Sequence, residues 1–260
     1  MNGILSSIES LYGLKKHHIE ILEKCDKSFF RQLFKSGACT PIESFYLLTN
    51  ELPLRHIILG RRLMFLWSIL HKNENELIYK VFDAQKLNPT KNDICLQFQE
   101  DLDICEISLS MDEISKMKKY KFRKIVNTQI REVARDYLLS LKASHSKLND
   151  LKSDYKLENY LTSDNLTTQQ KQLLFMLQTR MVDVKVNFSE KNGQVLTCHF
   201  CQEDESQSHL LRCKQITDGI DTSEVQYKDI FKAGYKQEKI TKVFDRIIKQ
   251  RNLKLNLLSS

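Results

Sequence analysis

The chain has 260 residues, a formal charge of +7, and only 3 prolines and 7 glycines, a composition that disfavours a many-turned β fold and predicts a mainly helical protein. No run approaches roughly 18 uncharged apolar residues, so no membrane-spanning helix is expected. Seven cysteines, an odd number and mostly dispersed, with no apolar signal segment at the start, point to a reducing intracellular compartment, nuclear or cytoplasmic.

In chain order, residues 14–34 carry Ile19, Leu22, Phe29, Phe30, Leu33 and Phe34 at helical spacing, and Gly37 is the expected stop. Thr40-Pro41-Ile42-Glu43 offers an N-cap threonine, a proline for the first helical position and a first-turn carboxylate, which predicts a short helix through about Leu48. From Leu54 to Leu70 the sequence is apolar almost all round, the mark of a central buried helix. Arg61 and Arg62 interrupt it, and burying either charge unpaired would be costly. They are expected at an edge, facing either a phosphate or a carboxylate of the same chain. Asn75 can cap a further helix through Phe82 and Ala84, and the break over 86–92, with Pro89, suggests a helical domain over 1–88 and a linker over 89–109.

Ser110-x-x-Glu113 is a capping box that announces a basic helical domain over 110–187. An apolar stripe then runs through Ile114, Met117, Phe122, Ile125, Val126, Ile130, Val133, Tyr137, Leu138 and Leu141, over one or two helices. Residues 111–156 hold 12 Lys and Arg against 6 Asp and Glu, a net of +6 that accounts for nearly all the excess charge. Charge this local suggests a polyanion contact, with a solvated helix face as the alternative. Lys124, Arg131, Arg135 and Lys142 recur at steps of 7, 4 and 7 on one helical face, a row able to follow a phosphate backbone. Residues 144–164 read as a polar loop in which Tyr155 and Tyr160 pack or stack. Thr167-x-x-Gln170 opens a helix with Leu173, Leu174, Leu177 and Met181. Val184-x-Val186-x-Phe188 and Asn192-Gly193 then allow a hairpin, or the helix continues through Val186 before a loop.

Cys198-x2-Cys201-x7-His209-x3-Cys213 follows, four soft ligands within sixteen residues. A Cys-x2-Cys turn aims two sulfurs at one ion, and the His209-x3-Cys213 pair puts the other two donors one helical turn apart. A single structural Zn²⁺ with every position taken is the expectation for this knuckle over 188–216; a disulfide or unrelated thiols are the alternative, and His199 is a spare donor. Glu203-Asp204-Glu205 reads as a solvated loop. Over 217–260, a lysine-rich amphipathic helix from Tyr227 to Leu257 presents Ile240, Val243, Phe244, Ile247 and Ile248. It is expected to pack on the preceding domain; its basic polar face keeps a partner protein or a membrane surface as alternatives.

Several stretches resemble the region downstream of the polymerase core in reverse transcriptases of non-LTR (LINE-type) retrotransposons. They are Ser10-Leu11-Tyr12-Gly13-Leu14, Thr40-Pro41-Ile42-Glu43, Leu52-Pro53-Leu54-Arg55, Gly60-Arg61-Arg62-Leu63-Met64-Phe65-Leu66 and Phe82-Asp83-Ala84-Gln85-Lys86. In the second half they are Lys121-Phe122-Arg123-Lys124-Ile125-Val126, Leu173-Leu174-Phe175 and Ser208-His209-Leu210-Leu211-Arg212-Cys213. The resemblance covers most of the chain and implies a thumb-like helical bundle over 1–88 followed by a helical module with a zinc knuckle. In that family these parts grip template RNA and target DNA. With the local charge, it makes Arg61, Arg62, Lys121, Arg123, Lys124, Arg131, Arg135 and Lys142 the candidate nucleic-acid contacts, to RNA or DNA.

The departures from the family are equally informative. Its polymerases need paired aspartates to hold two metal ions, and this sequence contains no Asp-Asp dipeptide, no fingers or palm and no endonuclease. The knuckle spacing also differs from the retroviral Cys-x2-Cys-x4-His-x4-Cys pattern. No phosphate-cradling glycine loop is present, and His17, His18, His56 and His71 read as packing residues. The expectation is therefore a nucleic-acid-binding module without polymerase activity of its own. The alternatives are a zinc-stabilised protein-interaction module and a decaying fragment without selected function.

Overall fold

The computed structural model describes residues 16–90, 93–151, 156–187, 196–232 and 234–259. The protein is mainly helical, with twelve α-helices and no strand among the described residues; the β pairing there is an isolated antiparallel bridge between Thr197 and Asp204. No described helix is long and apolar enough to cross a membrane. The chain divides into two compact units, residues 1–28 with 52–139 and residues 29–51 with 140–260.

The first unit is built on α3 (Leu54–Leu70), against which α4 (Leu77–Leu87), α5 (Ile94–Ile104) and α6 (Met111–Ser115) pack. Ile58, Leu63, Leu66 and Ile69 of α3 are almost completely buried, as expected of the apolar stretch. The early turns of α1 (Lys16–Phe34) add Ile19 and Leu22 against Leu54 and Ile58. The segment 89–109, expected as a linker, instead contains α5. Its Phe98 and Leu102 lie fully inside the same core, each contributing about 1.5–3 kcal/mol by burial. Asn75 is not the cap of α4; its amide closes a turn on the Asn73 side chain, and Glu76 holds the N-cap position. The Ser110–Glu113 capping box is complete, and it opens the one-turn helix α6; the basic helix α7 (Lys119–Ala143) begins separately. Of the predicted stripe of α7, Phe122, Val126, Ile130 and Leu138 are buried and are joined at the same four-residue step by Ala134, while Ile125, Val133, Tyr137 and Leu141 are half-buried at its edge. Gly60 marks a close approach, because a Cβ there would stand 2.6 Å from Ile130 Cδ1.

Two ion pairs lock this unit. Glu23 accepts two hydrogen bonds from the Arg55 guanidinium at 2.6 and 2.7 Å, and Arg55 also lies over the Tyr137 ring at 4.8 Å. Arg62 approaches Asp101 of α5 at 2.8 Å. Burial pushes the Asp101 carboxyl up to about 7 while Arg62 pulls it down, so the pair sits where an unpartnered charge would be costly.

The second unit gathers the last turns of α1, α2 (Ile42–Thr49), α8 (Asn159–Thr162), α9 (Thr168–Gln178), α10 (Gln207–Leu210), α11 (Lys214–Thr217) and α12 (Tyr235–Ser259). Lys35, in the left-handed region at φ 49°, ends α1 ahead of Gly37. Pro41, not Thr40, holds the N-cap position of α2, and no side chain caps that end. Phe34 and Phe45 stack on Phe175 of α9 at centroid distances of 4.2 and 4.9 Å. The Thr167–Gln170 capping box is complete. Helix α9 stops in a left-handed Arg180, with the Met181 amide donating to the Met176 carbonyl, so it does not run on through Val186. The first arm expected of the hairpin is not a strand, since residues 185–187 form a 3-10 turn, and the turn at Asn192-Gly193 lies outside the described residues. Within the stretch read as a polar loop, Leu148 and Leu151 are buried anchors and Tyr160 is 1% exposed. Tyr160 therefore packs and does not stack; Tyr155 is outside the described residues.

Candidate metal centre and cationic helix face

The metal ligands are assembled by short-range backbone geometry. The Glu205 amide donates to the Leu196 carbonyl, the Cys198 amide to Glu203 and the Gln202 amide to Cys198, closing a tight turn around a left-handed Gln202 at φ 64°. That turn presents Cys198 and Cys201. Ser206 caps α10, its hydroxyl accepting from the His209 amide at 3.1 Å. The Cys213 amide then donates to the His209 carbonyl at 2.9 Å, so these two ligands stand one helical turn apart as expected. Cys213 is also the N-cap residue of α11.

The four ligand atoms lie within 4.8 Å of one another. Cys201 Sγ is 3.3 Å from His209 Nε2 and 3.7 Å from Cys213 Sγ. A disulfide needs about 2.05 Å, whereas sulfurs 2.3 Å from a tetrahedral zinc stand roughly 3.8 Å apart. The donor set therefore fits a four-coordinate metal. His199 is exposed and is not one of the gathered donors. Burial pushes the Cys213 thiol up to about 11; a cation is what makes a thiolate favourable there.

Each acid of the loop between the ligand pairs has its own setting: the expectation of a solvated loop holds for Glu203 and Asp204, which are exposed, and fails for Glu205, which is buried. Glu203 Oε2 lies 3.1 Å from His209 Nδ1, which leaves Nε2 for the metal. Glu205 is fully buried and accepts from Arg251 Nε at 2.9 Å and Nη2 at 3.0 Å, and from the Lys185 amide at 3.2 Å. These partners lie far away in sequence, so no local spacing marks them; an acid two residues beyond Cys201 is the available signal for Glu203. Cys198 and Cys213 share one apolar core with Leu174, Leu177, Ile240 and Phe244. The expected packing of the C-terminal helix is thus observed, and its contacts extend into the knuckle itself.

Replacing Glu203 by Gln is expected to weaken metal affinity by about 10- to 100-fold, the usual cost of losing an outer carboxylate on a ligating imidazole. Chelator competition measures this. Thermal stability at saturating metal should change little, because Glu203 is largely exposed.

Of the candidate nucleic-acid contacts, Lys121, Arg123, Lys124, Arg131 and Arg135 are exposed on α7. None lies within 4 Å of a carboxylate among the described residues. Arg123, Asn127, Arg131 and Arg135 form a ridge at four-residue steps, about 6 Å each. Lys142 leaves the predicted row: it is half-buried, and its ammonium donates to the Leu151 carbonyl inside the second unit. Arg62 turns to Asp101, the intramolecular alternative, and Arg61 is half-buried on α3. Tyr120, which no spacing argument singles out, is 65% exposed on the basic face. Its position off the apolar stripe is the signal for that exposure.

Comparisons with family models, with curated proteins and with solved structures find no match.

Proposed function

We propose that this chain is a nucleic-acid-binding module, derived from the C-terminal region of a non-LTR retrotransposon reverse transcriptase and stabilised by one structural zinc. The observation that carries the reading is the face of α7, where Arg123, Lys124, Arg131 and Arg135 stand exposed with no carboxylate within 4 Å among the described residues. Exposed cations along one helix suit a phosphate backbone, since each phosphate they neutralise releases condensed counterions and strengthens binding as salt falls. Three thiolates and one imidazole with no position left for water favour zinc in a structural role. The absence of an Asp-Asp dipeptide supports a binding role without polymerase chemistry. Seven free cysteines suit a reducing compartment, nuclear or cytoplasmic.

The test is a titration of the zinc-loaded chain against labelled RNA and duplex DNA across a range of salt. Replacing Arg123, Lys124, Arg131 and Arg135 together by Gln is expected to flatten the plot of log affinity against log salt, by about 0.7–0.9 for each phosphate that is no longer neutralised. The fold, read by circular dichroism, should be unaffected. An unchanged slope would move the site elsewhere. One observation favours a protein partner as the second reading: Leu253, Leu257 and Leu258 near the end of α12 are 66%, 75% and 68% exposed. Binding that survives high salt, or that appears only with a partner protein, would select it.

A further inference from the structure

We infer that Tyr120 is a base-stacking post at the centre of a single-stranded nucleic-acid site, an inference that rests on the nucleic-acid reading above. Tyr120 borders two neighbouring surface depressions on the first unit. One is lined by Lys119, Arg123, Lys124 and Arg131, together with the uncharged Asn127 and Thr128. The other is lined by Lys116, Lys118 and Lys121. The single carboxylate bordering the second depression, Glu113, is engaged in the capping box, where it accepts from the Ser110 amide and hydroxyl at 2.8 Å each. Seven cations therefore surround one aromatic ring that is 65% exposed.

That arrangement matches the two requirements of a single strand. A charged groove holds the backbone, and an aromatic face takes an unstacked base. A duplex keeps its base faces inside the stack, so it meets the same surface only through its phosphates. Nearby rigidity helps the ring keep its place. The Trp67 indole N–H donates to the Met117 carbonyl at 2.8 Å, and the Lys119 ammonium lies 5.5 Å from the centre of the Trp67 ring. The two interactions tie the segment leading into α7, and its first residue, to α3. The ring's own burial is slight, which leaves its face free for a ligand.

The experiment measures anisotropy of a labelled single-stranded RNA of mixed sequence, about 16 nucleotides long to span one binding site, and of the duplex formed with its complement, on the zinc-loaded full chain. Tyr120→Ala is expected to weaken single-strand binding about 5- to 100-fold, the range for losing one stacked base. The salt slope and duplex affinity should stay unchanged, and Tyr120→Phe should bind within about twofold of the parent, because the π face is retained. Tyr235→Ala, which removes a tyrosine 74% exposed in the second unit, serves as the control and should have no effect. Single-strand affinity untouched by Tyr120→Ala, or an equal loss on the duplex, would overturn the stacking role while leaving the cationic site intact. A parent chain with no salt-sensitive binding to either probe would overturn the nucleic-acid reading itself.

Discussion

Stripping the metal is expected to unfold the second unit. All four ligands come from residues 198–213, and two of them, Cys198 and Cys213, are core residues alongside Leu174, Ile240 and Phe244. In small zinc peptides such sites contribute apparent energies of roughly 10–16 kcal/mol near neutral pH, as much as the entire stability of an ordinary domain. Without the ion, a thiol cluster and an imidazole remain buried with nothing to hold them together. Native mass spectrometry should find one zinc per chain. A strong chelator, or Cys213→Ser, should abolish hydrogen-exchange protection of α9 and α12. Acidification should release the ion too, because protons compete for the same thiolates. Protection of residues 240–248 that survives complete zinc removal would show that the metal does not hold this core.

The second large effect is expected at Arg251. Its side chain is 9% exposed, and the guanidinium grips the fully buried Glu205 with two hydrogen bonds. Arg251→Met would leave that carboxylate without a counter-charge, at a cost of about 3–5 kcal/mol in the second unit. Adding Glu205→Gln should recover much of the loss, since a neutral amide oxygen can still accept from the Lys185 amide. Denaturant unfolding of the single and double variants measures both steps. Equal stability of the parent and Arg251→Met would mean that Glu205 finds another partner.

What is legible in the sequence is what is local. Two capping boxes, the apolar stripe of α7, the central helix α3 and the four metal ligands all follow from spacings of a few residues, and each appears in the structure. Helix α5 is obscured because it follows the break at Pro89 and carries an acid, Asp101, on its buried face beside the exposed Glu100 and Asp103. The structure explains the buried acid, since Asp101 is there to meet Arg62 on α3. Long-range pairings carry no such local mark. Glu205 and Arg251 are 46 residues apart, and nothing in the steps of 7, 4 and 7 along α7 distinguishes Lys142, bound to a carbonyl, from Arg135, which is exposed at the surface. Tyr160 also shows the limit. Periodicity indicates which face of a helix is wet, but within the stretch 144–164 no period exists to show that Tyr160 points inward.

The second unit is closed by partners far apart in the chain: the Gln172 amide side chain donates to the Leu33 carbonyl across 139 residues, and Arg251 of α12 holds Glu205 across 46. On the ribosome, the aromatic side chains of α1 and α2 emerge long before the helices that cover them. The metal turn is then synthesised before Arg251, which has to neutralise Glu205. Such distant pairings slow folding, because a long loop must close before they form. The nascent chain therefore exposes Phe34 and Phe45 until α9, with Phe175, has been made, and a messenger truncated upstream of α12 would yield a polypeptide that lacks Ile240 and Phe244 of the shared core and is prone to aggregation and degradation.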